Sequence, residues 1–286
     1  MEEKTFKKYI ILWLSQSVSG LGSSMTGFAL VLWAYGQSHS AMSVSLMSFC
    51  NYVPYVFLSL FVGGFIDRHK KKTIMLVSDS IAAAGSLAVL ALLLAGCLEV
   101  WNIYAINAVV GITNAFQQPA SAVAVGRLVP KEKISNVSGM NSFSNNLIVV
   151  FSPMLAAFLF AAGGLPLILL TDLASFAFAF CILLFYITIP EQAQDEVYSS
   201  SFAGMTQGFY FLKKEKGIFY MMLTMALLNF CSRLTYENIL GPMILARSSG
   251  DSVALGIVNA CMGAGGIAGG ILVSVKKESR HKTNVI

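Results

Sequence analysis

Residues 44–97 read VSLMSFCNYVPYVFLSLFVGGFIDRHKKKTIMLVSDSIAAAGSLAVLALLLAGC. Two apolar runs, Val44–Ile66 and Thr73–Cys97, meet across a short gap that holds Asp67, Arg68, Lys70, Lys71 and Lys72. Each run reaches the roughly 20 residues a helix needs to cross the hydrocarbon of a bilayer. Lipid offers no partner to backbone N–H and C=O groups, so runs of this kind are expected to be helices. Barrel strands would be shorter and would alternate apolar with polar residues.

Outward from this pair the same unit recurs. Further apolar runs span Ile10–Tyr35, Trp101–Gly126, Ser138–Ala162, Leu165–Ile189, Ile218–Leu240 and Val253–Val275. The chain is 56% hydrophobic and 12% charged, whereas a soluble domain carries about a quarter charged residues. Its mean hydropathy is +0.70. The expected fold class is an all-α polytopic membrane protein with eight spans.

The cations alternate between gaps. Lys4, Lys7 and Lys8 precede the first run, and Arg68 with Lys70–Lys72 follow the second. Arg127, Lys131 and Lys133 follow the fourth, Lys213, Lys214 and Lys216 precede the seventh, and Lys276, Lys277, Arg280 and Lys282 follow the eighth. The other gaps hold only Arg247, and Arg233 lies inside a run. Cationic loops stay on the cytoplasmic side, so both termini are expected to be cytoplasmic, in a plasma-membrane protein. The net charge of +5 is then a topology signal facing anionic lipid, and no nucleic-acid partner is expected. The first run is too long for a signal-peptide core. Cys50, Cys97, Cys181, Cys231 and Cys261 lack metal-binding spacing and are expected to be reduced packing residues.

One gap is long. It starts polar at Pro190, then places Phe202, Met205, Phe209 and Leu212 at helical spacing. The expected organisation is a six-helix bundle over 1–189, a cytoplasmic linker with an amphipathic segment over 190–216, and over 217–286 two helices of an incomplete second bundle with a basic tail. Helical transporters are commonly built from repeated units. Six helices plus two therefore suggests the first two-thirds of a longer protein, a native eight-helix protein being the other reading.

The gap at 63–72 resembles the helix 2–3 signature of the major facilitator superfamily. There a Gly stands four before an Asp, a cation follows the Asp, and further cations come after. Gly63, Asp67, Arg68, Lys71 and Lys72 match; Lys70 stands where the family usually has Gly. Ser19–Thr26, Phe116–Ala120 with Leu128-Val129-Pro130, Leu240-Gly241-Pro242, Leu255-Gly256-Ile257 and Gly263–Gly266 are similar to the macrolide-efflux branch. The resemblance implies a secondary transporter exporting an amphiphilic, drug- or macrolide-like molecule by alternating access, ion- or proton-coupled, with no cofactor. It implies that helices 1, 4 and 7 line a central cavity. Two departures weaken the usual proton route. The fourth run has no Arg before Arg127, and Ser152-Pro153 in the fifth has Ser where the family has Gly.

The motif also has a physical reading. Asp67 can pair with Arg68 or Arg127, or face a helix N-terminus, where an exposed anion is favoured by about 0.3–1 kcal/mol. Such contacts would lock one access state. Otherwise the cations only set orientation and Asp67 is a solvated cap.

Polar groups inside lipid are costly and usually face a cavity. Gln16, Ser19, Gly20 and Ser23 share one helical face, as do Asn107, Gly111, Asn114 and Gln118, and Asn145 and Asn146 reach similar depth. The candidate cavity lining is Gln16, Ser23, Asn107, Asn114, Gln118 and Asn145. The alternative is interhelical hydrogen bonding, about 0.6 kcal/mol per pair. The carboxylates inside runs are Asp79, Asp172 and Glu237. Asp79 is expected to pair with the nearby basic loop. Arg233 and Glu237 stand at i, i+4 and form a candidate ion pair. Asp172 or Glu237 is the candidate proton site. Gly265/Gly269 and Gly266/Gly270 are expected to permit close packing. His39, His69 and His281 lie outside the runs, and no nucleotide-binding or zinc-protease motif occurs. An enzyme is therefore not expected, an aspartyl pair of Asp79 and Asp172 being the remaining alternative.

Overall fold

The computed structural model describes residues 2–130, 133–189, 214–232, 239–249 and 251–275. All regular structure among them is helical: α1 (Glu2–Ser38), α2 (Ala41–Arg68), α3 (Lys71–Leu94), α4 (Val100–Leu128), α5 (Ile134–Cys181) with a terminal π turn (Ile182–Tyr186), α6 (Lys216–Ser232), α7 (Leu240–Arg247) and α8 (Ser252–Val275).

Local chemistry sets the breaks. His39 adopts φ 48° between α1 and α2, and Gly96 adopts φ 70° just past α3. Glu99 and Asn102 form a capping box at the start of α4, in which the Glu99 N–H donates to Asn102 Oδ1 at 2.9 Å. That exchange satisfies donors the first turn leaves open.

The fifth and sixth apolar runs form one helical element that reverses at Gly164 (φ 67°, ψ −164°). A side chain is disfavoured at that φ, so glycine makes the turn possible. Contacts with α1 fix the directions. In the first arm, 134–163, Asn141 meets Tyr9, Ser144 meets Ser17 and Ile148 meets Gly20, a parallel progression. The second arm, 165–181, runs back: Leu165, Ile168 and Leu169 pack with Met25, Ala29 and Ala34, while Leu183 and Ile187 pack with Tyr9 and Leu12.

Two apolar clusters hold the bundle, one at each end. One joins the start of α1 to the end of α2, the start of α3, the end of α4, Val137 and Ile187. The other joins the far end of α1 to Met47, Val89, Leu90, Ile103 and the start of the second arm. This alternation is that of an up-and-down six-helix bundle. It places the 68–71 connection and the 38–41 connection at opposite ends.

Large apolar side chains also face outward, Phe158 at 70% and Phe185 at 82% exposure. Monomeric soluble proteins do not expose such surfaces. Among the described residues four helices are long and apolar enough to cross a membrane: Phe6–Ser38, Ala41–Ser59, Lys71–Leu94 and the two-armed Asn136–Tyr186. α4 is not one of them. Asn102, Asn107, Asn114, Gln117 and Gln118 dilute its hydropathy, and several of these face the interior.

The last two runs need amendment. α6 is followed by Arg233 and Glu237, which lie outside the described residues, as do most of the long linker and the basic tail. The helix α7 occupies what the sequence suggested was a connection. Pro242 sits in its first turn, where a missing N–H costs nothing. α8 packs antiparallel on the first arm of α5. Gly263 lies against Val150 and Gly266 against Asn146 Oδ1, and Gly256 approaches the Pro153 carbonyl. Space around Gly265 is open, so the close-packing face among the described residues is Gly256, Gly263 and Gly266.

Candidate functional site

Two voids share a wall inside the membrane-spanning bundle. The larger, a groove of about 720 Å³, lies between α1, α4 and the first arm of α5. Trp13, Gln16, Gln117, Gln118, Asn141 and Asn145 are among its polar or aromatic lining. The smaller, an inner cavity of about 330 Å³, lies between α1, α3, α4 and the second arm. Gln16, Gly20 and Gln117 line both. They form the septum between the two.

The groove wall carries an unmatched donor. Trp13 Nε1 is buried and has no hydrogen-bond partner. A buried donor without an acceptor costs about 1–3 kcal/mol. Other lining groups are already engaged. Tyr55 Oη donates to Gln118 Oε1 at 2.8 Å, and Tyr9 Oη donates to Asn141 Oδ1 at 3.3 Å.

The inner cavity holds both described intramembrane carboxylates. Asp172 is buried; its Oδ1 accepts from Ser23 Oγ at 3.1 Å and its Oδ2 from Ser86 Oγ at 2.9 Å. Gly22 makes this possible. A β-carbon there would come within 3.1 Å of the Asp172 α-carbon, so α1 can approach the second arm closely only without a side chain. Thr26, itself buried, lines the same cavity.

Asp79 does not follow its expected pairing with the basic loop. Two helical turns separate it from Lys71, about 12 Å along the axis. Its register turns it toward α4, where Gln117 Nε2 donates to Asp79 Oδ1. Nor do Asp79 and Asp172 form an aspartyl pair, because Ser86, which binds Asp172, stands two turns beyond Asp79 on α3, about 10 Å along the axis.

The predicted lining divides. Gln16 borders both voids, Ser23, Asn107 and Asn114 border the inner cavity, and Gln118 and Asn145 border the groove. Asn107 Nδ2 also donates to the Ile103 carbonyl at 2.9 Å. Gly111 leaves the stripe and packs on the α2 backbone at Asn51. Sequence reasoning left out Trp13, Thr26, Ser86, Gln117 and Asn141. Thr26 extends the Gln16–Ser19–Ser23 stripe by one more step, and Gln117 lies one turn after Asn114, so helical spacing held the signal for both.

The cationic connection is built as a set of caps. Lys71 is buried, and its Nζ donates to the Asp67 carbonyl at 3.0 Å. Lys72 Nζ donates to the Leu184 and Ile187 carbonyls, each at 2.8 Å. Carbonyls at helix ends lack intrahelical partners, and a cation there also suits the helix dipole. The Asp67 and Arg68 side chains are exposed, and nothing packs within 4 Å of where a Gly63 side chain would begin.

Comparison with known proteins agrees with this architecture. The model of a family described as "Transmembrane secretion effector" matches residues 2–286. The chain is 28% identical over 274 residues to macrolide efflux protein A of Streptococcus pyogenes, covering 94% of this chain and 66% of that protein. It is 30% identical over 242 residues to macrolide efflux protein A of Enterococcus faecalis, covering 82% and 73%. It is 25% identical over 227 residues to the uncharacterized MFS-type transporter YfiS of Bacillus subtilis, covering 75% and 52%. The chain thus spans just under two thirds of the Streptococcus protein.

Proposed function

The chain belongs to the transmembrane secretion effector family of the major facilitator superfamily, and from that premise we propose that it serves a secondary active transporter exporting an amphiphilic, macrolide-like molecule. The family is one of transporters, not of enzymes. The observation that carries the substrate reading is the groove between α1, α4 and α5, with its aromatic and amide lining and the unpartnered Trp13 Nε1. An oxygen-rich amphiphile would meet the lining amides and bury its apolar face on Leu12, Val125 and Ile148. Substrate would leave by alternating access, one bundle rocking against the other, driven by an ion gradient, in the plasma membrane with both termini cytoplasmic. Residues 1–189 would form one rocking body and 217–286 part of the second, joined by 190–216. The Asp67 and Arg68 pair at the end of α2 would latch one state.

A second reading is that the 286-residue chain inserts and binds substrate without cycling. What favours it is α6, which buries none of its residues.

Both readings are tested together. The chain is purified into nanodiscs, and quenching of Trp13 by a 14-membered macrolide is titrated. Macrolide accumulation is measured in efflux-deficient cells expressing the same chain. Saturable quenching lost in Trp13→Phe, with lowered accumulation, supports export; quenching with unchanged accumulation selects the second reading. No saturable quenching removes the groove as a substrate site.

A further inference from the structure

We propose that a groove between α2, α3 and α4 seats one anionic phospholipid, its phosphate on Lys70 and one acyl chain running down toward Ile81. The binding stands apart from the export reading. Only the leaflet that supplies the lipid rests on the cation distribution.

A third void, of about 450 Å³, opens on the outside of the bundle. Its walls are Phe65 of α2, Val77 and Ile81 of α3 and Ile112 of α4, each 39–52% exposed. Ile74, Ser78 and Thr113 are buried beneath them. Thr113 Oγ1 donates to the Val110 carbonyl at 2.9 Å, so that hydroxyl is satisfied within its own helix. The head of the groove is an aromatic corner. The Phe65 ring stacks on His69 with centroids 4.0 Å apart and meets Phe116 edge-on at 5.5 Å. His69 Nδ1 lies 2.8 Å from the Phe65 carbonyl. A carbonyl only accepts, so Nδ1 carries a proton and the ring is pinned.

Charge marks one end. Lys71 and Lys72 direct their Nζ groups to backbone carbonyls. Lys70 is exposed and lines the mouth of the groove. It is also the position at which the gap departs from the helix 2–3 signature, so that signature does not account for its side chain. Asp67 stands two positions after Phe65 on α2, about 200° around the helix, and is not among the lining residues. The mouth is therefore positive and the depth apolar.

This division selects the occupant. Lipid tails are as apolar as leucine, so an apolar groove alone prefers no guest within a bilayer. The choice falls to the headgroup, and a cation at the mouth favours an anionic headgroup over one that brings its own cation. Length agrees. From Lys70 to Ile81, α3 rises about 16 Å, half of the roughly 30 Å hydrocarbon core. That is the depth of one leaflet, whereas a partner helix would cross the whole core. Anionic lipids are concentrated in the cytoplasmic leaflet, the side to which the cations assign the 68–71 connection.

The test uses phosphatidylglycerol, with phosphatidylcholine of the same chains as the comparison. The purified chain in detergent is titrated with each lipid, and bound lipids are counted by native mass spectrometry. Circular dichroism and gel filtration check that each variant folds. The parent should retain one phosphatidylglycerol in preference to phosphatidylcholine. Lys70→Gln should weaken retention about fivefold and remove the preference, while Lys70→Arg should stay close to the parent. Val77→Trp, which fills the groove without touching the charge, should abolish the retained lipid. Lys7→Gln removes an equal charge from exposed Lys7 of α1 and should bind like the parent. If Val77→Trp does not fold, the three lysine variants decide. No preference between the lipids in the folded parent overturns the proposal. So does an equal loss in Lys7→Gln and Lys70→Gln, which would reduce the effect to net charge, or full retention in folded Val77→Trp.

Discussion

Asn51 of α2 donates from Nδ2 to the Asn107 carbonyl of α4 at 3.2 Å, one turn before Gly111 meets the Asn51 backbone. A β-carbon at position 111 would lie 2.9 Å from the Asn51 carbonyl carbon and 3.2 Å from its α-carbon. The clash is with main chain, which cannot swing aside as a side-chain tip can. Gly111→Leu should therefore destabilise the bundle by about 1–3 kcal/mol, and Gly111→Ala by less. Denaturant titration in detergent, followed by tryptophan fluorescence, measures both. An unchanged midpoint for Gly111→Leu would mean that the helices separate freely.

Lys72 clamps the end of the second arm through two carbonyls. Lys72→Met keeps the aliphatic stem and removes both charge-assisted bonds, each contributing about 1.5–3 kcal/mol. The local cost should appear as faster amide exchange around 182–187, with Lys72→Arg restoring part of the protection. Exchange rates equal to the parent would show that the π turn holds without its cap.

For Asp67, Asn substitution should reduce export while leaving membrane insertion intact. Efflux assays paired with quantified membrane expression check this in the gene product that shows export. Full activity in Asp67→Asn would leave the exposed carboxylate without a latching role.

Asn145 and Asn114 should separate by compartment. Asn145 borders the groove and Asn114 the inner cavity. Asn145→Leu should change macrolide affinity by several-fold, about 1 kcal/mol for one polar contact, and Asn114→Leu should change it less. Equal effects would erase the distinction between the voids as sites.

Sidedness is testable with the histidines of two connections. His39→Cys and His69→Cys, each on a cysteine-free background, should label from opposite sides of the membrane. Labelling of both from one side would refute the topology inferred from the cations.

Much of the architecture was legible in the chain because bilayer physics leaves few options. Apolar runs long enough to span must be helical, and the Lys-rich gap at 68–72 orders them. Gly163-Gly164 was readable as a break between two runs. What could not be read was register. Asp79 lies close to four cations in sequence, yet helical rotation turns it to Gln117. Gly111 looked like part of a polar stripe, yet it serves α2. Side chains on one face of a helix can still meet different neighbours at different heights, and sequence spacing does not carry that information. Lys72 shows the same limit. Its charge was legible, but its work as a cap for the Leu184 and Ile187 carbonyls, more than a hundred residues on, depends on which helix ends the bundle gathers together.

The septum of Gln16, Gly20 and Gln117 has a mechanical corollary. With the Gln16 and Gln117 side chains and the Gly20 backbone shared by both, neither chamber can swell without crowding the other. A bulky guest on one side would press Gln16 and Gln117 toward the opposite hollow, and its occupant would push back. Occupancy of the two chambers would then be antagonistic by simple exclusion, an exchange rule enforced by the thickness of a wall.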